Sequence, residues 1–244
     1  MQTLKDKVIL ITGANRGIGK SLVKAALEKG ARKIYATSRD LNKMPDFGDK
    51  RVVTLELDIT DNTQILNVAE KTKDVEVLIN NAGILNSGTI LEGDMEGKIR
   101  DMEVNYFATI NMMRAFSQIL EKNTPARIIN IVSIAAYSPL PFIAGYAASK
   151  AALLSATQSV RIELAKKGIT VHSVNPGAID TDMNKGSEME GMGNPYTTAK
   201  TILSEVETGT LDIVPDNMGL GMFNAWKEAP SKLAKMFSNM YHGE

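Results

Sequence analysis

The sequence predicts an α/β protein built on a doubly wound parallel sheet of about seven strands, flanked by helices on both faces. Strand-like apolar runs alternate with helix-like segments from the start of the chain, the runs are continuously apolar, and the first strand–helix junction is rich in glycine. A strand apolar on both faces is a buried strand, and crossover helices are what cover a parallel sheet. The 244 residues, 43% hydrophobic and 23% charged, suit a globular chain with a sizeable core. With no linker-like Pro, Gly or Ser tract and no internal repeat, the whole of 1–244 reads as a single domain.

Residues 8–12 form the first strand, ended by Gly13. Residues 18–29 show helical spacing through Ile18, Leu22, Ala25 and Ala26, and Gly30 is a natural stop. Strands follow at 33–37, 52–57 and 75–80, with a helix at 63–71 between the last two. A long helix spans about 98–121, a fifth strand 127–132, a helix 146–166 stopped by Gly168, and a sixth strand 169–174. Residues 182–194 carry three glycines, three methionines and four charges without a period, and predict a mobile, function-bearing loop near 182–200. Beyond it, 196–207 reads as helix and 212–214 as a short seventh strand. Trp226, Leu233, Met236 and Phe237 mark the apolar side of a terminal helix.

The balance of charge narrows the function. Formal net charge is zero, so no basic excess drives nucleic-acid binding. The absence of cysteine excludes disulfides and a cysteine-rich zinc site, and His172 and His242 are too few and too far apart to lead a metal site. The N-terminal residues run straight into a strand and leave no room for a signal peptide. No apolar stretch approaches the ~20 residues that span a bilayer. The expectation is a cytoplasmic protein with neither membrane nor nucleic acid as partner.

Two motifs carry chemistry. Gly13, Gly17 and Gly19 lie between a strand and a helix, where small residues let backbone approach a pyrophosphate and the helix N-terminus offers free N–H groups. The loop does not end in Gly-Lys-Ser/Thr, which disfavours a nucleotide triphosphatase. Tyr146 and Lys150 are four residues apart on a helix and so share a face. An ammonium beside a phenol favours phenolate, which is expected to pull the tyrosine pKa down from about 10 toward working pH, as a general acid or base requires. His172, inside the sixth strand, reads as a packed side chain. A Ser-His-Asp hydrolase is disfavoured because no Gly-x-Ser-x-Gly elbow is present.

Read together, 12–19, Asp58, 80–83, Asn105, Ser133, Tyr146, Lys150, 175–177 and Thr181 resemble the short-chain dehydrogenase/reductase family, in order and at near-family spacing over 5–182. The resemblance implies a single Rossmann domain, a nicotinamide cofactor and reversible hydride transfer between a carbonyl and an alcohol. It implies Tyr146 as proton donor, Lys150 tuning it and holding the nicotinamide ribose, and Ser133 donating to the substrate oxygen. Asn105 would kink its helix and hold a water that relays protons to Lys150. Cofactor contacts are implied at Gly13, Asn15, Arg16, Gly17, Ile18, Gly19, Ser38, Arg39, Asp58 and Ile59. Further contacts are implied at Asn81, Ala82, Gly83, Tyr146, Lys150, Pro176, Gly177, Ile179 and Thr181. Pairing through the two long helices, as a homodimer or homotetramer, is implied as well.

The second strand is followed by Ser38 and Arg39, with no acid at the position that selects NAD(H). Arg39 and Arg16 suit the extra phosphate of NADP(H), which is therefore preferred, while Asp40 is the residue that would favour NAD(H). The resemblance also implies that Leu140 and Phe142, between Ser133 and Tyr146, border the substrate, and their apolar character suggests an apolar or acyl-bearing carbonyl compound. Met183, Met189 and Met192 fit a pliable lid or ordinary packing. Two other readings stay open: a catalytically silent dinucleotide sensor of the same fold, and a nucleotide-sugar epimerase or dehydratase. The latter resembles longer chains.

Overall fold

The computed structural model describes residues 3–186 and 189–243. Its centre is a seven-stranded, wholly parallel sheet in the order β3-β2-β1-β4-β5-β6-β7. The strands are β1 (Val8–Ile11), β2 (Lys33–Ser38), β3 (Val52–Glu56), β4 (Val77–Asn80), β5 (Ala126–Ile131), β6 (Ile169–Val174) and β7 (Asp212–Ile213). The chain builds outward from β1 to β3 on one side, then returns to lay β4 against the other edge of β1. That reversal opens a crevice at the carboxyl ends of β1 and β4, where sheets of this kind bind ligands.

Alternate residues of β1 feed opposite faces, as the period of a strand requires. Ile9 and Ile11 pack with Leu22, Val23 and Ala26 of α1 (Gly17–Glu28) and with Ile202, Leu203 and Val206 of α6 (Pro195–Thr208). Val8 and Leu10 pack on the other face, in a core with Ile65 and Val68 of α2 (Asn62–Lys71). Met112, Phe116 and Leu120 of α4 (Thr109–Lys122) belong to the same core. Each such side chain, fully withdrawn from water, contributes roughly 1.5–3 kcal/mol. The remaining helices are α3 (Met95–Asp101), α5 (Ala144–Leu164), α7 (Asn217–Glu228) and α8 (Pro230–His242). No helix among the described residues is long and apolar enough to cross a membrane.

Helix boundaries have local causes. Asp61, Asp94, Asn194 and Asp216 accept backbone N–H bonds at the starts of α2, α3, α6 and α7. Gly30 and Gly168 stop the preceding helices in left-handed conformations, as the sequence implies.

The long helix is interrupted around Asn105, the residue expected to kink it: α3 passes through a π-helical segment, Met102–Ala108, before α4. Two expectations are corrected. The terminal apolar residues lie on two helices, because Pro230 opens α8 and forces Ala229 into an extended conformation. Trp226 therefore belongs to α7, and Leu233, Met236 and Phe237 to α8. The loop expected near 182–200 is shorter. Residues 187 and 188 fall outside the described residues, Asp182–Asn184 form a 3-10 turn, Gly193 bridges Ile179, and α6 begins at Pro195.

Candidate active site

A cavity of ≈ 640 Å³ lies over the carboxyl ends of the strands. One end is polar and glycine-rich, with Gly13, Asn15, Arg16, Gly17 and Ile18 from the loop after β1 and Asn81, Ala82 and Gly83 from the loop after β4. Ser38, Arg39, Asp58 and Ile59 close that end, and Pro176, Gly177, Ile179 and Thr181 cross it from the loop after β6. Ser133, Tyr146 and Lys150 line the same cavity, together with the apolar Leu140, Ile143, Met183, Met189, Met218 and Met222.

The glycine loop is held by its neighbours. Thr12 Oγ1 accepts the N–H groups of Asn81 and Ala82, each at 3.0 Å. The Asn81 side-chain amide donates to the carbonyls of Thr12 (2.8 Å) and Gly13 (3.1 Å). Gly19 lies beneath the cavity, where a Cβ would overlap the Gly13 carbonyl oxygen and come within 2.5 Å of Asn81 Nδ2. At the start of α1, Arg16 occupies the cap position without a side-chain cap, leaving the first N–H groups of the helix directed at the crevice. These features fit the pyrophosphate of a dinucleotide.

The ribose end is cationic. Arg16 and Arg39 are exposed, and Lys43, which sequence reasoning missed, joins them on the cavity wall. Asp40 lines the same wall; its carboxylate caps the 3-10 turn Leu41–Lys43 through Asn42 N at 3.0 Å and pairs with Lys43 at 3.5 Å. Arg16 meets Asp182 at 3.6 Å, a surface pair of small energy that leaves the guanidinium available. Asp58 accepts from Thr60 N (2.9 Å) and Thr60 Oγ1 (2.7 Å), while Asp61 caps α2.

At the reaction centre, Lys150 Nζ donates to the Ile131 carbonyl at 2.8 Å and stands 5.7 Å from the centre of the Tyr146 ring. Burial dominates the electrostatics. It pushes the Tyr146 phenol up to about 12, opposed by a hydrogen bond with Ser133 and assisted by the charge of Asp101. It pushes Lys150 down to about 8, opposed by Asp101. The expected lowering of the Tyr146 pKa is therefore corrected: desolvation of the phenol raises it, and the Ser133 hydrogen bond is the group that opposes the rise. At neutral pH the phenol keeps its proton, the form a donor needs.

Asn105 is fully buried inside the π segment and does not reach the cavity wall. Its side chain donates to the Ile84 carbonyl and Ser149 Oγ, each at 2.9 Å, and accepts from Ile84 N at 2.9 Å. It thus ties the loop after β4 to α5. Phe142 is a correction. The Phe142 carbonyl is held by Gly88 N at 2.7 Å and Ile143 bridges Gly88; the turn closed by Ile143 N on the Leu140 carbonyl at 3.0 Å leaves Phe142 37% exposed while Ile143 lines the cavity. Met192 is also off the wall. His172 is packed as expected: it is fully buried, bonded through Nδ1 to the Thr210 carbonyl at 2.7 Å, and pushed down to about 4 by burial.

Sequence reasoning missed the contribution of α7. Asp216 accepts Gly177 N (2.9 Å) and Gly219 N (2.8 Å), fastening the loop after β6 to α7. Met218 and Met222 then face the cavity at helical spacing. Phe223 and Trp226 anchor the helix on Tyr137, with ring centres 5.2 and 4.8 Å from it.

Comparison with known proteins agrees with this geometry. Residues 7–191 match the family model described as short chain dehydrogenase. A crystal structure of a short chain dehydrogenase from Burkholderia cenocepacia in complex with NADP superimposes with a TM-score of 0.91. It is 39% identical, and the match covers 97% of this chain and 99% of that one. A 3-oxoacyl-[acyl-carrier-protein] reductase of Vibrio cholerae is 34% identical over 75% of this chain and 77% of its own. An NADPH-dependent 1-acyldihydroxyacetone phosphate reductase of Schizosaccharomyces pombe is 35% identical over 72% of this chain and 61% of its own. The Rossmann-like sheet, the cavity over its carboxyl edge and the extent of the match converge: this chain belongs to the short chain dehydrogenase family.

Proposed function

We propose that this enzyme transfers hydride between NADP(H) and an apolar carbonyl compound or its secondary alcohol, with Tyr146 as general acid and base. The observation that carries the reading is the place of Tyr146: a buried, protonated phenol on the wall of one cavity that also holds the glycine loop, two arginines and several apolar side chains. NADP(H), when bound, supplies the hydride equivalent. Gly13, Gly17 and the start of α1 receive the pyrophosphate, and Lys150 holds the nicotinamide ribose. Ser133 orients the substrate oxygen, and Tyr146 passes its proton to that oxygen during reduction. The NADP complex of the Burkholderia relative and the NADPH dependence of the yeast one support the cofactor assignment. Both named reductases among the relatives act on acyl compounds, which agrees with the uncharged Leu140, Ile143, Met218 and Met222 wall. Following NADPH and NADH oxidation over a panel of ketones, aldehydes and acyl thioesters tests the reading. Consumption of NADPH with apolar carbonyls is expected. Preference for sugars, or silence with every carbonyl while cofactor binds, favours a polar substrate or a dinucleotide sensor.

Arg39→Ala is expected to weaken NADPH binding at least about tenfold while changing NADH binding little, because one charge-assisted contact to a phosphate is worth about 1.5–3 kcal/mol. Fluorescence titration with the two cofactors measures it, and equal losses for both would remove Arg39 from phosphate recognition. The whole chain acting as one NAD(P)-binding domain, in the cytoplasm, completes the proposal. Pairing of copies through α3–α4 and α5 is supported by the exposed Ile99, Phe107 and Ile162 on those elements.

A further inference from the structure

Asp101 and Asn105 stand one turn apart where α3 enters the π segment, and both are fully buried. Each holds the loop after β4 on one side and meets α5 on the other. Asn105 bonds Ile84 and Ser149. Asp101 Oδ1 accepts from Asn86 N at 3.1 Å and Asn86 Nδ2 at 3.0 Å, while Oδ2 lies against Gly145, where a Cβ would meet it at 3.1 Å. The spacing of four repeats on α5: Gly145 and Ser149 receive the two contacts, and Tyr146 and Lys150 each follow by one residue. The reaction pair is thus mounted on two parallel cross-links, one neutral and one charged.

The charged one has an unusual setting. Helix α5 begins on Ile143, with no side-chain cap and no acid in its first turn. A carboxylate stabilises a helix N-terminus, and Asp101 supplies one from a different element. Lys98, on the same helix as Asp101, turns its ammonium to the carbonyls of Gly93 and Asp94. Asp101 has no ion-pair partner among the described residues, and Oδ2 is buried without a hydrogen bond among them. The titratable groups facing it from α5 are Tyr146 and Lys150, and the 84–86 loop adds none. Burial pushes the Asp101 carboxyl up from its ordinary range, and the two Asn86 hydrogen bonds and the charge of Lys150 oppose that and favour the carboxylate.

We propose that Asp101 is a positioning residue of the reaction centre, which seats the first turn of α5 and keeps the Lys150 ammonium protonated across the working pH range. This rests on the role given to Lys150 above. The sign follows from the electrostatics: burial drives the lysine toward its neutral form, and the Asp101 charge opposes that.

Asp101→Asn keeps the shape and the acceptor for Asn86 but removes the charge. Two titrations read it: the pH profile of kcat/KM for ketone reduction, and the NMR resonance of the Lys150 ε-carbon, assigned by its loss in Lys150→Arg. Both midpoints are expected to fall by about one pH unit in Asp101→Asn and to return toward the wild-type value in Asp101→Glu. If circular dichroism shows Asp101→Asn unfolded, Asp101→Ser, also neutral and smaller, takes its place. An unmoved Lys150 midpoint in a folded neutral variant overturns the proposal, whatever the activity does. A shifted midpoint in a protein that turns over no carbonyl supports the role of Asp101 and overturns the assigned reaction instead.

Discussion

Tyr146→Phe is expected to lower kcat for NADPH-driven ketone reduction by about 10³-fold while NADPH still binds. Carbonyl reduction places a hydride on carbon and a proton on oxygen, and only the second is lost with the hydroxyl. The phenol is suited to give that proton because burial holds it up to about 12, so it is protonated wherever the fold is intact. Phenylalanine keeps the ring that packs with Ala135 and Ala147, so the fold should survive the change. Steady-state NADPH absorbance measures turnover, and quenching of Trp226 fluorescence or enhancement of NADPH fluorescence measures binding. A variant that retained a tenth or more of wild-type turnover would move the proton donor elsewhere.

Gly19→Ala is expected to damage both stability and cofactor binding. The added methyl would overlap the Gly13 carbonyl oxygen and crowd the Asn81 amide. Neither neighbour is a free side-chain end: Gly13 is backbone, and Asn81 is bonded to the carbonyls of Thr12 and Gly13. The loop must therefore shift as a unit. Overpacking of this kind costs about 1–3 kcal/mol of stability, and the shift displaces the N–H groups that receive the pyrophosphate. Urea unfolding should register the first effect, and a loss of NADPH affinity of at least about tenfold the second. Normal affinity in a destabilised protein would separate the packing role of Gly19 from the cradle.

The two largest expected effects fall on residues that were visible in the sequence, for a physical reason. Glycine at a close approach and Tyr-x-x-x-Lys on one helix face are local patterns, fixed by backbone sterics and helical pitch. The seven strands were legible for the same reason, since continuous apolar runs have one stable home in a parallel sheet. What escaped was nonlocal. A kink at Asn105 was expected, but not the inward partners, Ile84 and Ser149, that the π segment gives it. Phe142 and Ile143 are equally apolar, and only the bridge to Gly88 decides which of them meets the cavity. Asp216, Met218 and Met222 are distant in sequence from every motif and join the site by chain return alone, whereas Lys43 follows Arg39 across the turn capped by Asp40. The pKa of Tyr146 was misjudged because spacing reports a neighbour's charge and says nothing of how much water both groups have lost.

The grip of Asp216 on Gly177 and Gly219 bears on how such a chain can be re-engineered. A Cβ on Gly177 would meet Gly219 N at 2.7 Å, so the two backbones touch with no room for a side chain between them. The helix that carries Met218 and Met222 is thus welded to the loop that borders the cavity, although it lies beyond the stretch matched to the family model. Grafting a foreign tail after residue 215 to import a new substrate range would succeed only when the graft brings an acid and a glycine three residues apart at the junction. Swapping the two methionines in place would leave that weld intact and is the safer route.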